Sequence, residues 1–336
     1  AGPVAGVSQN VFITGGGANF PDKMPWLGGV KKYYDDLFIY KMNDRDSLLR
    51  FASAKLPFPL AYAACVSTGK GIVVAGGENV NGPSKKVLLF NWNGDEAKID
   101  SQSLADLPVA VTSPAITSVG DILYLGGGDA GIEVSDQFLS LNLNEPEATW
   151  QRLPALPHPT SHAVLAAQSD GQNKCIFLIG GRKKNPGNPS DLYSTVFRFD
   201  PASGVWQEMK SLDHPLSAGT GIAAGAHSIL LFGGDTGETF HRTEELIFSI
   251  AKENDEVRKK ELNEEKIKVQ SGHPGFSKSV LQYSTLTNEW KKIGEIPFDS
   301  PVTTVAVPWN HHVIIAGGEI RAGVRTPQIL SGKIND

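Results

Sequence analysis

The sequence predicts an all-β protein of the six-bladed β-propeller class, and three observations carry this prediction. Glycine and proline are abundant and scattered, with 36 Gly and 21 Pro, which indicates many turns. Short apolar runs lead directly into glycines six times along the chain. A strand-like segment, often followed by a Trp, comes after each of these glycine pairs.

The glycine repeat is the strongest of the three signals. The apolar runs VFIT, IVVA, ILYL, IFLI, ILLF and VIIA end at Gly15, Gly76, Gly126, Gly180, Gly233 and Gly317. These glycines recur at intervals of about 50 to 60 residues, near the period of propeller repeats, except for a last interval of about 84 residues. A glycine pair at a strand end permits positive φ and close backbone approach.

The segments after the glycines repeat in the same phase. Strand-like stretches lie at 35–40, 86–92, 135–141, 194–200, 279–285 and 327–334. Trp residues follow several of them and offer large apolar faces on which one blade can pack against the next. These Trp residues are Trp92, Trp150, Trp206 and Trp290. The units resemble kelch repeats over nearly the whole chain, which implies six blades of four antiparallel strands in a single domain, residues 1–336.

The two ends of the chain predict how the ring closes. The last unit offers strands near 301–309, 312–318 and 327–334, whereas the first unit begins at once with an inner strand, PVAGVSQ. We therefore expect residues upstream of Ala1 to supply the outer strand of the last blade.

An insertion at about 241–276 in the fifth blade accounts for the long interval. It is rich in charged residues that favour helices, and its apolar residues predict one or two short amphipathic helices, so that the region near 242–276 is partly helical. These apolar residues are Leu246, Ile247, Ile250, Val257, Leu262 and Ile267. The insertion is either a solvated spacer or a lid over the mouth of the propeller.

Composition and charge exclude several classes of partner. Hydrophobic residues make up 40% and charged residues 20% of the chain, a balance typical of folded proteins. The net charge of −5, without a basic stripe, argues against nucleic acid. No window approaches the roughly 20 apolar residues of a membrane helix, so membrane insertion is not expected. The oligomeric state is not determined by the sequence.

The loops that follow the glycine pairs should crowd around one end of the central channel, together with the connections between blades. Loops on a rigid scaffold are where binding residues tend to lie. We expect this face to carry the binding residues Asn19, Glu78, Arg182, Asp235 and His241. The connections add Ser113, His162 and Ser217, and His162 and His241 could assist proton transfer.

The last loop carries the most specific motif. Glu319 is followed six residues later by Arg325, within the sequence Gly-Val-Arg-Thr, and Arg321 lies between them. This loop resembles the motif of bacterial N-acetylneuraminate mutarotases. The loop at 15–21, with the segment at 27–36, resembles the blade that follows the motif in that family. Here the two are in the opposite order along the chain, which indicates the cyclically permuted branch of the family.

The resemblance implies an isomerase that interconverts the anomers of a sialic acid. Glu319 is then the catalytic acid/base, and Arg325 holds the carboxylate of the sugar acid, with Arg321 as its competitor. The implied reaction needs no cofactor and no metal, and the only implied partner is a small-molecule sugar acid. The resemblance favours a periplasmic or exported protein, although the sequence also permits a cytoplasmic one.

Two other interpretations stay open. Glu319 and Arg325 could form only a loop salt bridge, worth about 0–1 kcal/mol if exposed. The whole chain could be a non-enzymatic kelch propeller that binds protein or carbohydrate. Such a module predicts an exposed apolar patch and no carboxylate/guanidinium pair that faces inward.

Overall fold

A computed structural model describes residues 1–334 and confirms a six-bladed propeller arrangement that is mostly β, with only two short helices. The first strands of successive blades contact one another, and the first strand of blade 6 contacts the first strand of blade 1, which closes the ring. In blades 1 to 5 the strands are joined as four-stranded antiparallel sheets.

Each blade runs from an inner first strand to an outer last strand. The strands of blades 1 to 3 are Pro3–Ser8, Val11–Gly16, Asp36–Met42 and Leu48–Lys55; Ala64–Thr68, Gly71–Ala75, Val87–Asn93 and Lys98–Ser103; Ala115–Val119, Ile122–Gly126, Phe138–Asn142 and Gln151–Arg152. Those of blades 4 to 6 are Val164–Ser169, Lys174–Ile179, Val196–Asp200 and Val205–Glu208; Thr220–Ala224, Ser228–Phe232, Ser279–Ser284 and Glu289–Glu295; Ala306–Trp309, His312–Arg321 and Val324–Lys333.

The sheet of blade 6 has three strands within residues 1–334, and none of these residues adds a fourth strand to it. The expectation that residues upstream of Ala1 supply this strand stays a prediction. Asn335 and Asp336 lie outside the described residues.

Burial decreases from the second strand of a blade to its outer strand. The second strand of blade 2, Gly71–Ala75, is buried at every position, as the uninterrupted apolar run predicts, whereas the fourth strand, Lys98–Ser103, is mostly exposed. The Trp side chains link neighbouring blades as expected. The indole Nε1 atoms of Trp150, Trp206 and Trp290 donate to carbonyls that follow the preceding blade, at Ala105 (2.9 Å), Pro154 (3.2 Å) and Lys210 (2.9 Å).

The glycine pairs adopt positive φ in all six blades. In blades 1 and 3, which have three glycines in a row, the pair is Gly16-Gly17 and Gly127-Gly128, one residue later than the sequence predicts. The reason is that Gly15 and Gly126 lie in the second strand without positive φ, which begins only at the next glycine. In blades 1 to 4 the second glycine of the pair donates its N–H to the connection that leaves the same blade, as Gly77 does to the carbonyl of Val111 (2.9 Å). A Cβ on Gly127 would lie 2.0 Å from the carbonyl oxygen of Thr160.

The connections between blades form a closed ring of backbone hydrogen bonds, which we call the belt. One residue per blade has a φ between 49° and 65°, and its N–H donates to the carbonyl of the equivalent residue in the preceding blade at 2.7–3.1 Å. The belt residues are Gly2, Tyr62, Ser113, His162, Ala218 and Thr303. Left-handed backbone is unfavourable for residues other than glycine, and most of all for a β-branched residue such as Thr303.

The insertion of blade 5 forms two helices, α1 (Glu238–Lys252) and α2 (Glu256–Ser271), which confirms a helical insertion that begins slightly earlier than expected. Asp255 caps α2 by accepting from the Arg258 N–H (2.8 Å). Leu246 and Leu262 are buried, whereas Val257 is exposed, so the outer surface of α2 is solvated.

Helix α1 is fixed to blade 4 at Ser190. The Glu244 carboxylate accepts from the backbone N–H (2.8 Å) and the hydroxyl (2.7 Å) of Ser190, and His241 Nε2 lies 2.9 Å from its carbonyl oxygen. These contacts fix the first turns of α1 against the neighbouring blade.

Candidate functional site

The residue that directly follows each glycine pair has the same backbone position in every blade. In blades 2 to 6 it bridges to the adjacent connection, in the pairs Ala61–Glu78, Thr112–Asp129, Ser161–Arg182, Ser217–Asp235 and Val302–Glu319. In blade 1 the equivalent residue, Ala18, donates its N–H to the Ala1 carbonyl (2.9 Å). We call these six residues the mouth ring: Ala18, Glu78, Asp129, Arg182, Asp235 and Glu319. The repeat thus presents six side chains at equivalent points around the channel.

The charged members of the mouth ring line one cavity of about 400 Å³. Its floor includes belt residues, among them Tyr62, Ser113, His162, Ala218 and Thr303. One wall comes from the insertion and the segment after it, through Thr239, Phe240, Thr243, Gln270, His273 and Phe276. The insertion is therefore part of the cavity wall, which favours the lid over the solvated spacer.

In blade 6 the second and third strands continue past the glycine pair as a longer hairpin. This register places Glu319 directly opposite Arg325, and the carboxylate of Glu319 contacts the guanidinium of Arg325. Both side chains are largely buried, with 18% of Glu319 and 14% of Arg325 exposed, so this is no exposed loop salt bridge. Glu319 also accepts from the Gly323 N–H (2.7 Å).

Arg325 contacts two residues that line the cavity, Glu319 and Tyr62, but does not line it itself. The residues that line the cavity include Glu319 and Ala322 but not Arg325. The guanidinium of Arg325 lies 5.6 Å from the ring centroid of Phe20, and burial lowers its pKa from the usual value. The carboxylate/guanidinium pair predicted from the sequence is thus present, but Glu319 is its member that faces the cavity.

Three of the other sequence-predicted residues also reach the cavity. Glu78 accepts from Lys31 Nζ (2.9 Å) and from the Tyr33 hydroxyl (2.8 Å). Asp235 accepts from the Gly237 N–H (2.8 Å) at the start of the helical insertion. Arg182 lies under the ring of Phe240, at 5.0 Å from its centroid.

Three predicted residues are placed elsewhere. Asn19 Oδ1 accepts from the Tyr34 hydroxyl (2.8 Å), Arg321 is exposed and lies 3.8 Å from Asp299, and His241 contacts the Ser190 carbonyl. None of the three is among the residues that line the cavity. Loop membership alone could not separate them from Glu78 or Arg182, because the side-chain direction depends on the position relative to the glycine pair.

The surroundings of two histidines at the cavity lower their pKa values. Burial, with Arg182 and Lys184 nearby, holds the pKa of His162 well below its usual value. Burial also lowers the pKa of His273, whose Nδ1 accepts from the Gly275 N–H (3.0 Å). His162 was identified from its connection, whereas Lys31, Tyr62, Phe240 and His273 were missed. Only their contacts in the folded ring distinguish them from ordinary loop residues.

Known proteins resemble this chain in both sequence and fold. The model of the N-acetylneuraminate epimerase family matches residues 104–336. The chain belongs to this family. The N-acetylneuraminate epimerase of Haemophilus influenzae (strain PittEE) is 25% identical over 234 residues, which cover 70% of this chain and 60% of the relative. The N-acetylneuraminate epimerase of Brucella melitensis biotype 1 is 26% identical over 246 residues, which cover 71% of this chain and 61% of the relative. This member thus spans about 60% of the length of these curated relatives.

The solved structure of YjhT has the same fold as this family member. It superposes with a TM-score of 0.68 at 16% identity, covering 100% of this chain and 95% of that chain. Among residues 1–334, neither helix is long and apolar enough to cross a membrane. Whether the order of the blades is cyclically permuted relative to other members stays a prediction.

Proposed function

We propose that this protein is a mutarotase that accelerates the exchange between the anomers of N-acetylneuraminate or a closely related sugar acid. The observation that carries the proposal is a largely buried Glu319 at a polar cavity, backed by Arg325. The family supports the same activity, since its curated members are named N-acetylneuraminate epimerases.

The chemistry requires one group that moves protons. The Glu319 carboxylate removes the proton of the anomeric hydroxyl and delivers it to the ring oxygen as the bond between that oxygen and the anomeric carbon breaks, which leaves a carbonyl at the anomeric carbon. The open-chain keto acid turns about a C–C bond and closes on the other face, and the protons return. The guanidinium of Arg325 favours the charged carboxylate that begins this cycle.

The cavity offers further groups for a polar substrate. Glu78, Asp129 and Asp235 supply acceptors for sugar hydroxyls, and Lys31 and Tyr62 also line the cavity. A cavity of about 400 Å³ is within the size range of small-molecule sites. No cofactor enters the proposed reaction.

The experiment follows the anomers of freshly dissolved N-acetylneuraminate by NMR, with a catalytic amount of the protein. D-glucose, a neutral aldose that also mutarotates, is the comparison substrate. We expect the protein to shorten the approach to equilibrium of the acid and to leave that of glucose at its spontaneous rate. An unchanged rate for the acid contradicts the proposed activity, and equal acceleration of glucose contradicts the proposed substrate class.

A further inference from the structure

Arg182 is the only cation in the mouth ring. The other five positions hold four carboxylates and one alanine. The equivalent positions in blades 2 to 6 line the same cavity, so an arginine here brings one positive charge to a largely acidic rim. An anionic substrate needs such a charge, because the protein as a whole has a net charge of −5.

The guanidinium of Arg182 has no carboxylate partner. Within residues 1–334 it forms no ion pair within 4.0 Å and no side-chain hydrogen bond, and its Nε atom is buried without a partner. Burial lowers its pKa, since the charged form is deprived of water. Arg182 is half-buried and lines the cavity, so a ligand there can supply the carboxylate partner that the guanidinium lacks.

Three acidic residues lie near Arg182, and two of them accept hydrogen bonds from other groups. Asp235 accepts from the Gly237 N–H, Glu244 accepts twice from Ser190, and Asp129 lies 3.6 Å from Lys184 Nζ. None of the three pairs with the guanidinium within 4.0 Å in residues 1–334, although their charges favour its charged form. Phe240 of helix α1 covers the guanidinium from the other side, at a distance typical of a cation–π contact.

Arg325 differs from Arg182 in being paired with a carboxylate. Its guanidinium contacts Glu319, and it is not among the residues that line the cavity, although its Nε atom is also buried without a hydrogen-bond partner in the described residues. The two arginines therefore differ in what they can do, since one is open to a ligand and the other is engaged with the acid/base.

We infer that Arg182 binds the carboxylate of the sugar acid, and that Arg325 is a positioning residue that acts through Glu319. The inference rests on the proposed function and assigns its substrate recognition. The planar guanidinium can donate two parallel hydrogen bonds to a carboxylate, and Phe240 covers one of its faces.

The test compares N-acetylneuraminate with its methyl ester, which lacks the negative charge. Mutarotation rates are measured over a range of concentrations for the wild type, Arg182→Gln and Arg182→Lys. Arg152→Gln, at an exposed position in the outer strand of blade 3, is the matched control. For the acid, we expect Arg182→Gln to raise KM by about 10- to 100-fold with little change in kcat. The reason is that the variant loses a charge-assisted contact that the substrate makes equally in the ground state and in the transition state. Arg182→Lys should fall between, and Arg152→Gln should match the wild type.

The methyl ester separates the effect of the substrate's negative charge on KM from the effect of the sugar's shape. With the ester, the wild type and Arg182→Gln should differ by less than about threefold in KM, because no carboxylate is present to be lost. Thermal unfolding of each variant checks that the propeller is intact. If Arg182→Gln does not fold, Arg182→Lys, which keeps the positive charge, is compared with the wild type in its place.

Arg325→Gln supplies the contrasting result. We expect it to lower kcat with little change in KM, and to move the acid limb of the pH–rate profile to higher pH, because a carboxylate without its guanidinium is protonated more easily. An Arg182→Gln variant with unchanged KM for the acid, beside an Arg325→Gln variant with raised KM, would overturn the inference.

Failure of the proposed function gives a different pattern. In that case the wild type does not accelerate mutarotation of the acid, and binding of N-acetylneuraminate is measured by titration calorimetry. Weaker binding to Arg182→Gln than to the wild type still supports the carboxylate site. Equal binding, or no binding to the wild type, contradicts it.

Discussion

The base of each loop after a glycine pair is nearly identical in the six blades, whereas the tip differs from blade to blade. At the base, glycine pairs with positive φ and the belt repeat around the whole ring. At the tip, blades 1 to 4 turn back in two-stranded ribbons, blade 5 carries α1 and α2, and blade 6 has the longer hairpin of Glu319 and Arg325. A constant base therefore holds six side chains in place while the tips and the mouth ring vary in chemistry.

The largest expected effect is on a glycine of the base. Gly127→Ala places a Cβ 2.0 Å from the Thr160 carbonyl oxygen, at a φ of 68°, and backbone cannot yield as a side chain can. We expect a loss of roughly 3 kcal/mol or more in the free energy of unfolding, measured by denaturant titration. The matched control at a tip, Gly187→Ala, has a similar φ of 73° and no atom within 4 Å, and should lose only about 1–2 kcal/mol. Equal losses would mean that base and tip are equally constrained.

A smaller effect concerns His162 in the belt. Its pKa is held well below the usual value in the folded protein, by burial and then by Arg182 and Lys184. Below a pH of about 6.5 the unfolded chain takes up a proton that the folded imidazole refuses, so stability is lost as the pH falls. His162→Asn tolerates the left-handed backbone and removes this titration.

We therefore compare the free energies of unfolding of wild type and His162→Asn at pH 7.5 and 5.5. The difference between them should shift in favour of the variant by up to about 1.4 kcal/mol at the lower pH. The other histidines are present in both proteins, so their contributions to the pH dependence of stability cancel in this difference. A difference that does not change with pH would show that the imidazole is protonated as easily in the folded ring as in the unfolded chain.

The smallest effect is expected for a strained residue of the belt. Thr303 has a φ of 49°, and its hydroxyl is buried without a partner within residues 1–334. Thr303→Gly should raise the free energy of unfolding by up to about 1 kcal/mol, because glycine adopts this backbone without strain. Thr112 also has a buried hydroxyl without a partner in the described chain, but its φ is not positive, so Thr112→Gly should lower stability by a similar amount. Loss of stability in both variants would contradict strain in the belt.

The base of the loops was predictable from the sequence because its cause is local. Glycine pairs after apolar runs, and Trp residues in phase with them, require only the period of the repeat. The one-residue shift at Gly16 and Gly127 arose because three consecutive glycines do not reveal which two adopt positive φ.

The site was predictable only in part. Glu319 and Arg325 were identified through a motif, and the strand register explains why they meet. The mouth ring could have been derived from the sequence, since each member directly follows a glycine pair. The roles of Phe240, His273 and Lys31 could not, because they depend on how the insertion and blade 1 fold over the cavity.

The most direct test of the account is the effect of Glu319→Gln on rate and stability together. The amide keeps the shape of the side chain but cannot take the anomeric proton, so mutarotation of N-acetylneuraminate followed by NMR should slow by about 10²- to 10⁴-fold. Glu133→Gln, at an exposed position in the blade 3 tip, makes the same chemical change away from the cavity and should keep the wild-type rate. The account predicts this loss of rate with a cooperative, wild-type-like unfolding transition. A Glu319→Gln variant that is folded and as fast as the wild type would contradict it.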